Sequence, residues 1–210
     1  MKRLSRIFRF LFFSQIVLAI SIGPFPFVYY AMGIKFGVIN TKEQSVLKNS
    51  FWTVAFHTHI IFAGLSLLTG WPQFIAKLRS GKALLHKTLG KIYIFSSLLS
   101  AAAGICIGFF ATGGSLTIIG FVCLGAIWFY TTFAGYRNIR IKKIEEHRRM
   151  MVYSYAACFA GVTLRIWLPL LMVALGSFSK AYPIAAWLCW IPNLIFADWI
   201  VNKIEREDEN

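Results

Sequence analysis

The sequence predicts an all-α membrane protein, a bundle of six transmembrane helices with both termini in the cytoplasm. Three observations support this prediction: a 58% hydrophobic share with only 14% charged residues, six long apolar segments, and clusters of Lys and Arg between them. Soluble proteins have about 45–50% apolar and about 25% charged residues. A soluble fold of this size has too little interior to bury so many apolar side chains.

The formal charge of +14 does not indicate a nucleic-acid-binding protein. Such a protein carries its basic residues along a polar face, whereas here they lie in clusters between the apolar segments. Soluble enzymes and DNA-binding proteins are therefore excluded as classes. We expect the lipid bilayer to be a partner of this chain and nucleic acid not to be one.

Six segments reach the length of about 20 apolar residues that a membrane-spanning helix requires. We predict one domain, residues 1–210, with spans at about 7–32, 51–76, 88–111, 115–136, 150–175 and 181–201. The first segment is too long for a signal peptide and lacks a cleavage site of small residues. We therefore expect a retained helix, bent where Pro24 and Pro26 remove backbone N–H groups. Gly113 and Gly114 predict a short turn between the third and fourth helices.

Lys and Arg are distributed unequally between the two sides of this predicted bundle. The two termini and the loops after the second and fourth helices carry 17 of them, whereas the opposite side carries four. An excess of Lys and Arg marks the cytoplasmic side of a membrane protein. We therefore predict a multi-pass protein of the cell (inner) membrane, with the N-terminus and the C-terminus inside.

Polar side chains within the apolar segments are costly in hydrocarbon and therefore indicate functional positions. They are His57, His59, Arg165 and Asp198, with His86 and His147 at the cytoplasmic boundary. An uncompensated Arg at such a depth costs at least about 2.5–3.5 kcal/mol. Ala157 and Gly161 precede Arg165 on the same helix face, and such small residues usually face other helices. We therefore expect the guanidinium to point into the bundle or into a wet cavity.

Two residues on the second helix, His57 and His59, lie about 200° apart around the helix axis, so they cannot face one partner together. Small residues follow His59 on its face, which predicts that His59 is the inward one, in the same layer as Arg165. Two roles are open for Arg165. It binds backbone carbonyls of neighbouring helices, or it binds a ligand such as a quinone, a haem propionate or a lipid phosphate.

The other two histidines are expected at the cytoplasmic end, His86 at the start of the third helix and His147 at the start of the fifth. A bis-His haem b requires two imidazoles on facing helices at one depth, and this pair meets that condition. The pair is therefore a candidate ligand set for haem iron, with Tyr93 on the same face as His86. The alternative is that both histidines, which lie beside Lys and Arg, only contact lipid headgroups.

An ordered set of motifs runs from Phe51 to Leu171. It comprises His59, Gly70-Trp71-Pro72-Gln73-Phe74, Arg79, His86-Lys87, Gly90, Tyr93, Gly113-Gly114, Trp128, His147-Arg148-Arg149-Met150 and Val162-Thr163-Leu164-Arg165. This set resembles an uncharacterised bacterial membrane-protein family, the domain of unknown function twenty-three-oh-six. The family pattern has Arg in place of Lys87 and Trp in place of Met150. The resemblance marks five positions without supplying a reaction: His59, Gln73, His86, His147 and Arg165.

The chain is also loosely similar to two-haem transmembrane b-type cytochromes, which are six-helix bundles with histidines on their middle helices. The fourth predicted helix of this chain has no histidine. At most one bis-His site can therefore be built, from the third and fifth helices.

Three functions follow from these observations, and whether the protein is an enzyme stays open. The first is a redox protein in which His86 and His147 bind haem b, while His59 and Arg165 contact a propionate or a quinone carbonyl. The second is a non-enzymatic subunit or assembly factor that binds lipid or another membrane complex. The third is a small transporter, which is the least supported because no inverted repeat is detectable.

Overall fold

The computed structural model describes residues 6–24 and 42–209, and every regular element in this part of the chain is a helix. A short 3-10 helix, Trp71–Phe74, follows the third α-helix. The α-helices are α1 (Arg6–Ile22), α2 (Gln44–Leu47), α3 (Ser50–Gly70), α4 (Ala76–Gly81), α5 (Ala83–Gly108), α6 (Ser115–Arg140), α7 (Ile144–Cys158), α8 (Ala160–Leu175), α9 (Phe178–Leu188) and α10 (Ile191–Glu209).

Several stretches of the described chain are long and apolar enough to cross a membrane. They are Ser50–Phe74, Ala83–Gly108, Ser115–Arg140, Ile144–Leu175 and Phe178–Lys203. These five stretches overlap the second to the sixth predicted spans, so the all-helical, multi-pass architecture is confirmed. The first predicted span, 7–32, is helical over Arg6–Ile22, and Gly23 and Pro24 form a turn after it. Its remainder, with Pro26, lies outside the described residues, so six spans and the orientation stay predictions.

Two helices begin earlier than their hydropathy predicts. Helix α5 starts at Ala83 rather than near 88, and α7 starts at Ile144 rather than near 150. Backbone hydrogen bonds form in a polar first turn as readily as in an apolar one, so hydropathy marks the apolar part of a helix and misses its polar start. As a consequence, His86 and His147 both lie within the first two turns of long helices.

Four helices form the centre of the molecule. Helix α3 packs on α5, α5 on α6 and α6 on α7, and α7 contacts α3, which closes the ring. Between α5 and α6, the turn predicted at Gly113 and Gly114 is present, with φ angles of 99° and 83°. Helix α9 packs against α8 and α6, and α10 packs against α7. The ring therefore encloses one core, and the last helices cover one side of it.

The core of this ring combines large aromatic side chains with small polar ones. Tyr93, Trp128 and Tyr155 are its large buried members. The fully buried serines of these helices are Ser66, Ser96, Ser97, Ser100 and Ser154. Small residues let helix backbones approach closely in a membrane protein, and their hydroxyl groups form hydrogen bonds between helices. The same residues that permit close packing therefore make the interior polar enough to hold imidazole rings.

The last two long stretches are each interrupted once, at neighbouring positions. Helix α8 follows α7 after Phe159, and α10 follows α9 after Cys189 and Trp190. The side-chain amide of Asn193 donates to the backbone carbonyls of Ala156 at 3.3 Å and Cys189 at 2.9 Å, and to the Thr163 hydroxyl oxygen at 3.1 Å. Asn193 therefore ties the two interruptions together.

We expect Asn193→Ala to destabilise the protein by about 1–2 kcal/mol, because hydrogen bonds between membrane helices contribute about 0.6 kcal/mol on average and up to about 1.7 kcal/mol. The thermal unfolding midpoint in mild detergent measures the effect. Asn202→Ala is the matched control, because the Asn202 amide is exposed and donates to Asp198 of the same helix. Equal midpoints for the two variants would show that Asn193 does not link the helices energetically.

Candidate functional site

His59 lies on the face of α3 that packs against α5. Its Nδ1 is 2.9 Å from the backbone carbonyl oxygen of Ser100, and the Ser100 hydroxyl donates to the backbone carbonyl of His59, also at 2.9 Å. A carbonyl oxygen only accepts hydrogen bonds, so Nδ1 carries the ring proton and Nε2 keeps its lone pair. The imidazole is therefore held in one tautomer, with Nε2 as an acceptor.

The α5 backbone approaches the His59 ring closely at Gly104. A Cβ atom added at Gly104 would lie 3.0 Å from His59 Nδ1 and 3.1 Å from Cε1. These distances are shorter than ordinary van der Waals contacts, so a side chain at position 104 would displace the ring. Gly104 is therefore part of what positions His59.

His57 does not share this environment. Its Nδ1 donates to the backbone carbonyl of Thr53, one turn earlier on α3, at 2.8 Å. This bond within the same helix agrees with the separation of about 200° between the two histidines. The structure therefore separates His57 from His59.

A half-open cavity of about 70 Å³ lies beside His59, between α1, α3, α7 and α8. His59 and Arg165 both line it, which brings together the two residues that the sequence places in one layer. The other lining residues are apolar or small: Ile22, Ile60, Ala63, Gly64, Leu67, Cys158 and Gly161. We call this cavity the His59–Arg165 pocket.

The Arg165 guanidinium is held against its own helix at the edge of this pocket. Its Nη1 donates to the backbone carbonyl of Gly161, one turn earlier, at 2.6 Å. The Arg165 side chain is exposed in the isolated chain, so it does not point into the centre of the bundle. The sequence left two directions open for the guanidinium, into the bundle or into a cavity, and in the structure Arg165 lines a cavity. Gly161, a member of the predicted small-residue face, supplies the carbonyl.

Tyr93 lies in the centre of the bundle, with only 1% of its surface exposed. Its hydroxyl is 2.8 Å from the Ser154 hydroxyl, which is 2.7 Å from the Thr132 hydroxyl. This chain of hydroxyl groups joins α5, α7 and α6. Among the described residues, Tyr93 does not line the His59–Arg165 pocket and forms no hydrogen bond with the His86 imidazole. Tyr93 is therefore a core residue in the structure.

Gln73 and His86 meet at the other end of the bundle. The neighbouring backbone groups favour one orientation of the Gln73 amide, in which its oxygen accepts from the Gly90 N–H at 3.3 Å and its nitrogen donates to the His86 carbonyl at 3.2 Å. The same nitrogen donates to Nδ1 of His86 at 2.7 Å. Nδ1 is therefore an acceptor, and the proton of the neutral imidazole is on Nε2.

His147 is oriented in the opposite way. Its Nδ1 is 2.8 Å from the backbone carbonyl oxygen of Gly135, which places the ring proton on Nδ1 and the lone pair on Nε2. His147 lies in the first turns of α7 as His86 does in those of α5, and α6 connects and packs between these helices, so both histidines are at the same end of the bundle. Along α5, His86 and Ser100 are separated by about 21 Å, at about 1.5 Å per residue. The structure therefore brings His59 and Arg165 together in one pocket and places His86 and His147 away from it, at the other end of the bundle.

Only one of the two candidate haem ligands has the hydrogen bonding that iron ligation requires. An axial imidazole offers a lone pair to the iron and donates its other N–H to a neighbouring acceptor. His147 fits this pattern through Gly135. His86 does not fit, because the Gln73 amide occupies Nδ1 and leaves the proton on Nε2. We therefore derive no reaction step from a bis-His haem at this pair.

Arg79 is a site residue that sequence reasoning left among the loop charges. It is partly buried, and its Nη1 donates to the backbone carbonyl of Gln73 at 3.3 Å. Burial, followed by the nearby Arg148 guanidinium, lowers the pKa of Arg79. The signal in the sequence that could have identified Arg79 as a site residue was its place in the motif set, six residues after Gln73. Hydropathy could not separate it from the exposed lysines beside it.

Comparison with known proteins agrees with this architecture. No curated protein and no solved structure matches the chain. The sequence model of one family, described as "Predicted membrane protein (DUF2306)", matches residues 56–201. The matched range covers more than half of the 210 residues and includes both sites described above. The chain therefore belongs to this DUF2306 family of predicted membrane proteins.

Proposed function

We propose that this membrane protein binds a quinone in the His59–Arg165 pocket, with Arg165 donating to a quinone oxygen and His59 facing the same oxygen. The observation that carries the proposal is the joint lining of one half-open cavity by these two side chains. Polar side chains are expensive inside a membrane and are therefore kept where they serve a ligand or a partner.

The hydrogen bonding of the two residues suits both redox forms of such a ligand. The Arg165 guanidinium has five N–H donors, so it can serve both the Gly161 carbonyl and a ligand oxygen. His59 Nε2 is an acceptor because Nδ1 donates to Ser100. The carbonyl oxygen of a quinone would accept from Arg165. The hydroxyl of the reduced form would in addition donate to His59.

The size of the pocket limits how much of the ligand enters. A cavity of about 150 Å³ accommodates benzene. The pocket has about 70 Å³. It therefore suits the oxygen-bearing edge of a quinone ring, while the remaining ring and the apolar tail would lie outside it, among the lipid chains.

A titration of the purified protein in mild detergent with decylubiquinone tests the proposal. We expect saturable binding of one molecule per chain in isothermal titration calorimetry, above the partitioning measured with empty micelles. Excess phosphatidylglycerol is the competitor that distinguishes a quinone site from a lipid-phosphate site. Binding no greater than that of empty micelles, or complete displacement by phosphatidylglycerol, would contradict the proposal.

The haem b hypothesis stays a prediction of the sequence, and a reduced-minus-oxidised spectrum tests it. Because Nδ1 of His86 accepts a hydrogen bond from the Gln73 amide and Nε2 then carries the proton, we expect no Soret and α bands of a bis-His haem, even after haem is added. Bands that disappear in both His86→Ala and His147→Ala would show that Gln73 moves away and that the pair binds iron.

A further inference from the structure

The end of the bundle opposite the His59–Arg165 pocket carries a large excess of positive charge. We call this region, residues 76–91 and 137–149, the basic end. It contains eleven Lys and Arg residues and only two carboxylates, Glu145 and Glu146. Glu145 accepts from Arg148 at 2.7 Å, and Glu146 lies 3.9 Å from Lys143. Most of the positive charge therefore has no carboxylate of the basic end to balance it.

Three elements bring oriented N–H donors together in this region. Gln73 holds Nδ1 of His86, so that Nε2–H is available as a donor. Arg79, on α4, is anchored by its bond to the backbone carbonyl of Gln73. Arg148, on α7, donates to Glu145 at 2.7 Å, and its positive charge acts on the Arg79 guanidinium. An anion between them would remove this repulsion and accept from all three side chains.

Gln73 can approach α5 closely because the residue that it faces, Gly90, has no side chain. A Cβ atom added at Gly90 would lie 3.4 Å from the end of the Gln73 side-chain amide, so the amide rests directly on the α5 backbone. The amide carries no charge, yet it decides which nitrogen of His86 donates. The basic end therefore differs from a diffuse positive surface, because one neutral residue orients its donors.

We propose that Arg79, His86 and Arg148 bind a phosphate group at the basic end. Arg and phosphate form charge-assisted hydrogen bonds that are strong and directional. The long apolar stretches that contain α5 and α7 start here, so we expect the site to lie at the depth of the lipid phosphates. The phosphate of an anionic lipid is one source, and free phosphate is the other. The site is separate from the quinone pocket and does not depend on it.

Native mass spectrometry and thermal unfolding of the purified protein test this site. Phosphatidylglycerol is compared with phosphatidylcholine, and inorganic phosphate is compared with chloride at equal ionic strength. We expect phosphatidylglycerol to remain bound and to raise the unfolding midpoint more than phosphatidylcholine does. A rise with inorganic phosphate alone would identify the free ion as the source. No preference for either phosphate probe over its control would overturn the proposal.

The variants separate an oriented site from general surface charge. We expect the Arg79→Gln variant to require at least about ten times more phosphatidylglycerol or phosphate than the parent for the same rise in unfolding midpoint. The reason is that hydrogen bonds to charged groups are the strongest polar contacts. Arg140→Gln removes the same charge from the exposed end of α6 and should leave binding unchanged. Gln73→Leu keeps the net charge and should weaken binding several-fold. Equal losses in Arg79→Gln and Arg140→Gln, or unchanged binding in Gln73→Leu with an intact fold, would overturn the proposal.

Discussion

Replacing Arg165 by Gln is expected to weaken quinone binding by roughly ten- to a hundredfold, because a hydrogen bond from a charged donor contributes about 1.5–3 kcal/mol and each 1.4 kcal/mol is about a factor of ten. The variant keeps a side chain of similar length with an N–H donor, but it loses the positive charge at the pocket. The decylubiquinone titration measures the change in the dissociation constant. Because the Arg165 side chain is exposed in the isolated chain, we expect the fold to be retained.

Two further variants show whether the loss belongs to the pocket. Arg140→Gln removes an exposed guanidinium far from it and should bind quinone as the parent does. Gly104→Ala changes neither pocket residue, but its new Cβ atom would lie 3.0 Å from Nδ1 of His59 and would displace the ring. We expect weaker binding in this variant too. Unchanged affinity in Arg165→Gln would remove the guanidinium from the proposed function.

The largest effect on stability is expected from Gly125→Ala. A Cβ atom at Gly125 would lie 2.7 Å from Cγ1 of Ile105 and 3.3 Å from the backbone oxygen of Ala101, both on α5. The α5 backbone at Ala101 cannot change rotamer as a side chain can, so α5 and α6 would have to move apart. Overpacking of this kind costs about 1–3 kcal/mol. The thermal unfolding midpoint in detergent should therefore fall by several degrees.

Gly81→Ala is the matched control for this experiment. Gly81 is the last residue of α4, and a Cβ atom there would have no neighbour within 4 Å. Alanine is favoured over glycine in a helix by up to about 1 kcal/mol, so this variant should unfold at the same temperature as the parent or slightly above it. A fall of equal size in both variants would mean that the contact between α5 and α6 is not the cause.

The membrane class and the approximate spans could be predicted from the sequence, because hydropathy and charge are properties of short segments. The same reasoning predicted which residues belong to the candidate sites, since an imidazole or a guanidinium in hydrocarbon is costly wherever its helix packs. It placed His59 and Arg165 in one layer from helix length alone. It left open whether the Arg165 guanidinium points into the bundle or into a cavity, and it expected carbonyl partners on neighbouring helices rather than Gly161 of the same helix.

The tautomers of the histidines could not be predicted from the sequence. Whether Nδ1 or Nε2 carries the proton depends on the partner of the other nitrogen, and each partner comes from another part of the chain. His59 meets Ser100, His147 meets Gly135 and His86 meets Gln73. The hypothesis of two equivalent haem ligands rested on depth, which is equal for His86 and His147, whereas their hydrogen bonding is opposite.

The amino-acid sequence alone therefore determined that this chain is a helical, multi-pass membrane protein of the DUF2306 family, with a small set of polar residues at known depths. Only the tertiary structure decided how these residues divide into a His59–Arg165 pocket and a basic end that Gln73 organises. The physical reason is that hydropathy acts residue by residue, whereas a hydrogen bond needs a donor and an acceptor from helices whose contact the whole fold determines.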